Sequence, residues 1–254
     1  MHDREYEAFS GQFGARATLA QELEFQSSFG LRKVEAASFD RVAASHTLSS
    51  ADASSLASAA ATVTLRGGWW EFVAFSLAEG LTPTIVSLNW SPQWIRAVLR
   101  ADVARIASSG TNIKNCKSVR SLAEAVDIYC GEVLAPGVVR PPSRRDHPTR
   151  LHTGTDKVAL MRRLEKQPGD VLFIGDAMPD LPLLMQGTTT IGVVALGTSS
   201  MTAALELFGV PVKRVNDTEL LSTSTGQGFL WSLWSFDELV GKFKGVTSES
   251  VDRL

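Results

Sequence analysis

Cysteine and long apolar runs are both scarce in this 254-residue sequence. Its two cysteines, Cys116 and Cys130, are too few for a disulfide framework and lack metal-ligand spacing, so both are interpreted as reduced. No apolar stretch of about 18 residues occurs, so the sequence predicts no transmembrane helix. The sequence begins with charged residues instead of the apolar core of a secretory signal. These absences predict a soluble, cytoplasmic protein.

An excess of either charge is also missing. Lys and Arg together number 25 and Asp and Glu 27, which gives a formal net charge of −2 with both signs interspersed. Binding to nucleic acid or to an anionic membrane usually requires clustered Lys and Arg, so neither partner is expected. With 44% hydrophobic and 20% charged residues, the chain is long enough to bury a sizeable core. A small molecule or a protein is the expected partner.

The composition changes near residue 62. Residues 1–62 are rich in Ala, Ser, Glu and Gln and have few β-branched residues, which favours helices. From Leu65 onward, short apolar bursts alternate with helical patterns, as is typical of βα units that form a parallel sheet. The sequence therefore predicts a helical region over 1–62 and an α/β domain over 63–254.

Local signals place several elements within the second region. Gly80 is predicted to end a helix over 69–79, and Ser91 followed by Pro92 is predicted to begin another. The stretch 138–155 is predicted to be a loop with a short strand pair at its start, because it contains three prolines and no periodicity. Ser235 and Glu238 form a capping-box pattern. The remaining predicted elements are strands over 82–87, 171–174 and 190–194 and a helix over 156–164.

The sharpest chemical signal is VLFIGDAMPDLPLL, residues 171–184. A buried strand ends at Gly175 and presents Asp176, and Asp180 follows at the entry to a helix. Ligands bind at the carboxyl ends of parallel strands, and paired carboxylates are ligands for a hard divalent cation. The alternative is a surface turn with solvated acids, in which Asp180 caps a helix and no metal binds.

Two further polar residues precede this motif. Ser87 follows the apolar strand segment 84–86, where its hydroxyl and the adjacent N–H groups could cradle a phosphate, although an ordinary capping Ser fits as well. Lys157 lies near a predicted helix start, where an ammonium could neutralise a transferring phosphoryl group. A solvated lysine is the alternative.

The order of these three elements resembles motifs two, three and four of the haloacid dehalogenase (HAD) superfamily of hydrolases. The segments LRGGWWEFVAFSLAEGLTPTIVSLNWS and GTDKVALMRRL are similar to those of its phosphoserine-phosphatase-like branch, and the likeness is greatest to fungal HAD-like proteins with a Ser-x-Asn-Trp-Ser segment. The resemblance covers about residues 63–200, and GDxxxD is its most specific part.

The resemblance implies a Rossmannoid three-layer fold with a parallel sheet and an N-terminal helical cap. It also implies that Ser87 and Lys157 are catalytic, that both contact a small phosphorylated metabolite together with Asn89, and that Asp176 and Asp180 hold Mg²⁺. Leu88 and Asn89 stand where phosphoserine phosphatases have glycines, so substrate specificity does not carry over.

The Asp-x-Asp motif that supplies the family's nucleophile and its general acid is not found in this sequence. Asp40 and Asp52 lack both a preceding apolar strand and a second Asp two residues later. In the relatives, the motif lies on a first strand about 90 residues before the Ser of motif two, so residues 1–62 are expected to correspond to the cap and the first strand to be missing.

Three interpretations of this gap stay open: a truncated gene product, a segment or second chain that fills the place of the strand, or closure of the neighbouring strands. The leading functional prediction is Mg²⁺-dependent hydrolysis of a small phosphomonoester by the complete form, impaired in this chain. The alternative is a non-catalytic regulatory pseudoenzyme that binds phosphate and Mg²⁺. A dinucleotide-binding enzyme is disfavoured because the glycines of 187–197 do not form G-x-G-x-x-G.

Overall fold

A computed structural model describes residues 18–46, 52–89, 91–110, 119–134, 138–140, 151–164, 171–186, 190–196, 200–217 and 230–251. These residues form a mixed α/β fold that contains parallel strand pairs. The chain divides into two compact units, and each unit combines two separate stretches of sequence. The first unit contains residues 1–41 and 151–233, and the second contains 42–150 and 234–254.

The first unit is built on a four-stranded parallel sheet, in which β5 (Val171–Gly175) pairs with β6 (Thr190–Ala195), β6 pairs with β8 (Leu230–Leu233), and β8 pairs with β7 (Val212–Arg214). Its apolar core includes Phe173, Leu184, Val194 and Leu230, all of which are buried. The near-continuous apolar sequence of β5 and β6 suits strands covered on both faces. The elements of this unit are α1 (Leu19–Ser27), α2 (Phe29–Ser45, which begins here), α7 (Gly154–Leu164), β5 (Val171–Gly175), a 3-10 helix (Met178–Asp180), α8 (Leu181–Gln186), β6 (Thr190–Ala195), α9 (Ser200–Leu207), β7 (Val212–Arg214), a 3-10 helix (Val215–Asp217) and β8 (Leu230–Leu233).

The second unit has a separate core around Trp70, Val73, Leu99 and Val126. The Trp70 indole N–H donates to the buried Asp102 carboxylate at 2.7 Å. Strands β1 (Thr84–Val86) and β2 (Asp127–Tyr129) pair in parallel, and β3 (Glu132–Leu134) and β4 (Val138–Arg140) pair antiparallel. The elements of this unit are α3 (Ala53–Ala60), α4 (Trp69–Ala78), β1 (Thr84–Val86), α5 (Pro92–Ser108), α6 (Val119–Ala125), β2 (Asp127–Tyr129), β3 (Glu132–Leu134), β4 (Val138–Arg140) and α10 (Phe236–Val251).

Several local predictions are confirmed. Gly80 has a φ of 73° just after α4. The Ser91 hydroxyl accepts from the Trp94 N–H at 3.1 Å at the start of α5. Glu238 accepts from the Ser235 N–H at 3.2 Å, as the capping-box pattern predicts. The strand predicted over 82–87 is shorter, since β1 spans only Thr84–Val86 and is exposed or half-buried within its two-stranded sheet.

The N-terminal prediction concerns a helical region without a strand. Within 18–46 and 52–62 the structure contains the helices α1, α2 and α3 and no strand. In the part of the chain that the structure describes, no helix has both the length and the apolar character needed to cross a bilayer. The boundary predicted at residues 62 and 63 stays a prediction, because the compact units group residues by proximity in space and not by composition.

Glu35, on α2, provides a test of how burial affects stability. Burial raises the pKa of its carboxyl group above the usual value. The folded state therefore binds the Glu35 proton more tightly than the unfolded state does. The protonated carboxyl group adds to the free energy of unfolding at acid pH, and this added stability is lost as the pH rises through the folded-state pKa. Because Glu35→Gln is neutral at every pH, we expect it to raise the free energy of unfolding at pH 7 relative to the original chain, with the gain disappearing below about pH 4.

Urea denaturation across this pH range is the measurement, with Glu24→Gln on the exposed face of α1 as the matched control. The control is expected to change stability by no more than about 0.5 kcal/mol. A Glu35→Gln variant that is less stable than the original chain at pH 7 would contradict the burial argument.

Candidate functional site

The turn after β5 is held together by the carboxylate of Asp180. Asp180 Oδ2 accepts from the backbone N–H groups of Asp176 and Ala177, at 3.2 Å each. The carboxylate is buried and lies at the end of the 3-10 helix Met178–Asp180. It therefore folds the chain back over the carboxyl end of β5, the end of a parallel strand at which α/β proteins bind ligands.

The other oxygen of this carboxylate binds Lys157. Lys157 Nζ lies 2.5 Å from Asp180 Oδ1, and both side chains are buried. Lys157 occupies the first turn of α7, where a cation opposes the helix dipole. A buried cation at this unfavourable position requires a charged partner, and Asp180 supplies it.

Asp156, immediately before Lys157, is the centre of a second buried network. Its Oδ2 accepts from the N–H groups of His152 and Thr153 at 3.0 Å each and lies 3.1 Å from the Thr153 hydroxyl. The Asp156 N–H donates to Thr153 Oγ1 at 3.3 Å, which completes a reciprocal capping box at the start of α7. Asp156 Oδ1 also forms an ion pair with Arg32 of α2. The turn that contains Lys157 is thus fixed at its N-terminal end.

Two glycines allow the chain segments of the site to approach each other. A Cβ atom on Gly175 would lie 2.6 Å from Asp180 Cβ and 3.0 Å from its Cγ. A Cβ atom on Gly154 would lie 2.2 Å from the carbonyl oxygen of Pro179. Both separations are too short for a side chain, so glycine at these positions brings β5 and α7 against the 3-10 helix that ends in Asp180.

Asp176 differs from Asp180 in being exposed. Mg²⁺ in proteins is often held by one or two carboxylates together with waters and substrate phosphate oxygens. Both oxygens of Asp180 already bind donors of the protein, which leaves Asp176 as the accessible carboxylate of the pair. Among the residues that the structure describes, no group of three or more His, Cys, Asp or Glu side chains could hold a metal ion. These two residues alone do not form a complete metal site.

Ser87 and Asn89 lie in the second unit, at the carboxyl end of β1. The Ser87 N–H donates to the carbonyl of Tyr129 at 2.9 Å, and the Ser87 hydroxyl accepts from the Asn89 N–H at 3.1 Å. Asn89 Oδ1 accepts from the Ser91 N–H at 3.0 Å. Ser87 directly follows β1, as predicted, and its role in phosphate binding and its convergence with Lys157 stay predictions.

The structure thus brings Lys157, Asp176 and Asp180 together in the first unit, as the motif order predicts. Sequence reasoning missed Asp156, although Thr153-x-x-Asp156 before an apolar run is a recognisable capping signal. It also missed Arg32, for which the sequence offers no local signal because the ion pair joins residues 124 positions apart.

No protein-family model, no curated protein and no solved structure matches the chain. The functional assignment therefore depends on the motif order in the sequence and on the geometry of the site.

Substitution of Gly175 by alanine tests the packing of the turn. The added methyl group would collide with Asp180, so we expect Gly175→Ala to displace its carboxylate and to lower the free energy of unfolding by about 1–3 kcal/mol. Gly241→Ala is the matched control, because Gly241 lies in α10 and a Cβ atom there would have no neighbour within 4 Å. Alanine there is expected to stabilise the helix by about 0.5–1 kcal/mol. Chemical denaturation measures both, and equal effects would contradict the proposed close contact.

The Lys157–Asp180 pair is tested by a double-mutant cycle. Lys157→Met leaves the buried Asp180 carboxylate without its cation, so we expect the free energy of unfolding to fall by about 3–5 kcal/mol. Adding Asp180→Asn removes that unpaired charge and should restore part of the loss. Lys33→Met, at an exposed position of α2, is the control and should change stability by about 0.5 kcal/mol or less. Additive effects of the two site substitutions, measured by urea denaturation, would show that the pair is not coupled.

Proposed function

We propose that this chain is a phosphatase-like protein of the HAD type whose complete form hydrolyses a small phosphomonoester, and that hydrolysis is impaired in these 254 residues. The observation that supports this most strongly is the buried Lys157–Asp180 pair at the carboxyl end of β5, beside the exposed Asp176. The order of these residues along the chain resembles that of the family's motifs, which also supports the proposal. The HAD assignment, the substrate class and the Mg²⁺ requirement are parts of this proposal.

Lys157 is the residue proposed to meet the phosphoryl group. Its Nζ has three hydrogen-bond donors, of which Asp180 Oδ1 accepts one in the structure. A preorganised ammonium in a buried site stabilises negative charge on transferring oxygens more effectively than one in water. Asp180 is proposed to orient this ammonium while it holds the turn, and Ser87 and Asn89 are proposed to bind the phosphoryl oxygens from the tip of β1.

Mg²⁺ is proposed to bind through Asp176, with the rest of its ligands supplied by water, by the phosphate and by a carboxylate outside the residues described. When bound, the ion would neutralise charge on the phosphoryl oxygens. Because Asp176 is the accessible carboxylate of the pair, the chain alone is expected to bind Mg²⁺ weakly.

Turnover requires a nucleophile that these residues do not supply. In the proposed reaction, a carboxylate oxygen forms a bond to phosphorus as the ester P–O bond breaks, and a second acid donates a proton to the departing alcohol. Water then hydrolyses the aspartyl-phosphate and releases inorganic phosphate. No Asp-x-Asp occurs in the 254 residues. Strand β5 pairs with β6 and with no other described strand, so we propose that a strand bearing Asp-x-Asp pairs with its other edge in the active form.

The second candidate is a regulatory protein that binds phosphate and Mg²⁺ without turnover. The observation that favours it is that both oxygens of Asp180 accept from donors of the protein, Lys157 and two backbone N–H groups, so this carboxylate needs no reacting group as a partner. The two candidates share a binding site and differ in whether a nucleophile is delivered to it.

The experiment compares the 254-residue chain with a version extended at its N-terminus by an apolar strand that ends in Asp-x-Asp, using p-nitrophenyl phosphate with Mg²⁺. We expect negligible turnover by the unextended chain and turnover by the extended chain that is higher by on the order of 10³-fold or more. Asp176→Ala should abolish the gained activity. Asp40→Ala, which removes an exposed carboxylate from α2, is the matched control and should retain it.

The possible outcomes separate the candidates. Turnover by the unextended chain that disappears in Asp176→Ala would point to an unrecognised nucleophile. Phosphate binding without turnover in a folded extended chain would favour the regulatory protein. No phosphate binding by either version, measured by calorimetry with inorganic phosphate and Mg²⁺, would refute both candidates.

A further inference from the structure

The helices α1 and α2 contact the segment that leads into Lys157 at three places. The Thr155 hydroxyl donates to the carbonyl of Gln26 at 3.0 Å. Arg32 forms an ion pair with Asp156. The ring of Phe39 stacks on His152 with a centroid distance of 4.3 Å. Three of the five residues before Lys157 are therefore held by side chains or backbone from a distant part of the sequence.

The Arg32–Asp156 pair is the contact closest to Lys157. Asp156 directly precedes Lys157, and its side chain is only 7% exposed, whereas that of Arg32 is 53% exposed. Asp156 also accepts hydrogen bonds from the N–H groups of His152 and Thr153, so the position of its carboxylate does not depend on Arg32 alone. What Arg32 adds is a positive charge that compensates a buried carboxylate beside the site cation.

The charge of Arg32 affects how strongly an anion is attracted to the first turn of α7. Arg32 pairs with Asp156, and Lys157 pairs with Asp180, so each of these two buried carboxylates has its own cation. If Arg32 were removed, the buried carboxylate of Asp156 would lose its cation, one residue before Lys157 in the chain. An uncompensated negative charge in the first turn of α7 would lower the electrostatic attraction of this turn for a phosphate group.

We propose that Arg32 is a positioning residue for Lys157: through Asp156, helix α2 fixes the first turn of α7 and leaves the charge of Lys157 available to a phosphoryl group. This inference rests on the proposed function for its second half only. The position of Lys157 can be measured without any phosphate.

The experiment compares Arg32→Gln, Arg32→Lys and Lys33→Gln in the full 254-residue chain. Lys33 is the adjacent exposed residue of α2, so Lys33→Gln removes the same formal charge without touching Asp156. The first readout is the rate at which acetic anhydride modifies Lys157, followed by mass spectrometry at a fixed pH. The second is the affinity for inorganic phosphate with Mg²⁺, followed by calorimetry.

We expect Arg32→Gln to raise the rate of Lys157 acetylation by about threefold or more, because the turn opens more often. We expect the same variant to lose about tenfold in phosphate affinity, the change that corresponds to one charge-assisted hydrogen bond. Arg32→Lys should restore most of both properties, whereas Lys33→Gln should resemble the original chain. Arg32→Lys tests whether charge is responsible, because a lysine would not restore a role of Arg32 that depended only on the shape of its side chain.

The two readouts distinguish failure of the inference from failure of the proposed function. Unchanged acetylation of Lys157 in folded Arg32→Gln would overturn the inference, and so would faster acetylation with unchanged phosphate affinity. Equal losses in Lys33→Gln would overturn it as well, because they would show an effect of net charge. Faster acetylation specific to Arg32→Gln in a chain that binds no phosphate would support the positioning role and refute the proposed function.

Discussion

The carboxylate of Asp180 joins the turn after β5 to the first turn of α7, and the geometry of the first unit around the tip of β5 depends on it. One oxygen binds the buried ammonium of Lys157, and the other binds two backbone N–H groups in the turn after β5. Removing both charges from water costs several kcal/mol for each ion, which only good geometry and additional hydrogen bonds can offset. The lack of a side chain at Gly175 and Gly154 permits that geometry, since a methyl group at either position would collide with the segment that ends in Asp180.

The neighbouring ion pair, Arg32–Asp156, differs from the Lys157–Asp180 pair because one of its two partners is exposed to solvent. Asp156 is buried and capped by local donors, while its cation Arg32 is half exposed on a helix from the beginning of the chain. Solvent screens an exposed partner more than a buried one, so the Arg32 contact is weaker than that of Lys157 and easier to interrupt. Solvent and salt can therefore weaken the Arg32–Asp156 pair while the buried Lys157–Asp180 pair stays formed.

Local sequence signals predicted the elements that bear the site, because these depend on neighbours within a few residues. The strand predicted over 171–174 extends to Gly175, and Ser91 and Glu238 make the capping contacts expected of them. The partner of Asp156 could not be predicted in this way, since no periodicity or spacing links Arg32 to a residue 124 positions later. The sequence likewise marked Gly175 as a strand end, but the reason for glycine there is the position of Asp180 in space, which only the folded chain reveals.

Because each compact unit is assembled from two separate stretches, the order of synthesis conflicts with the order of packing. Helix α4 leaves the ribosome long before α10, yet Phe75 stacks on Phe243 and the carbonyl of Gly67 binds the Phe236 N–H. Domains usually fold as units during synthesis, and exposed apolar surface of incomplete units favours aggregation. The nascent chain must therefore keep the apolar face of α4 without α10, and the charge of Arg32 without Asp156, while the residues between them are synthesised. Its dependence on chaperones in the cell should accordingly be greater than that of a chain of equal length made of two consecutive domains.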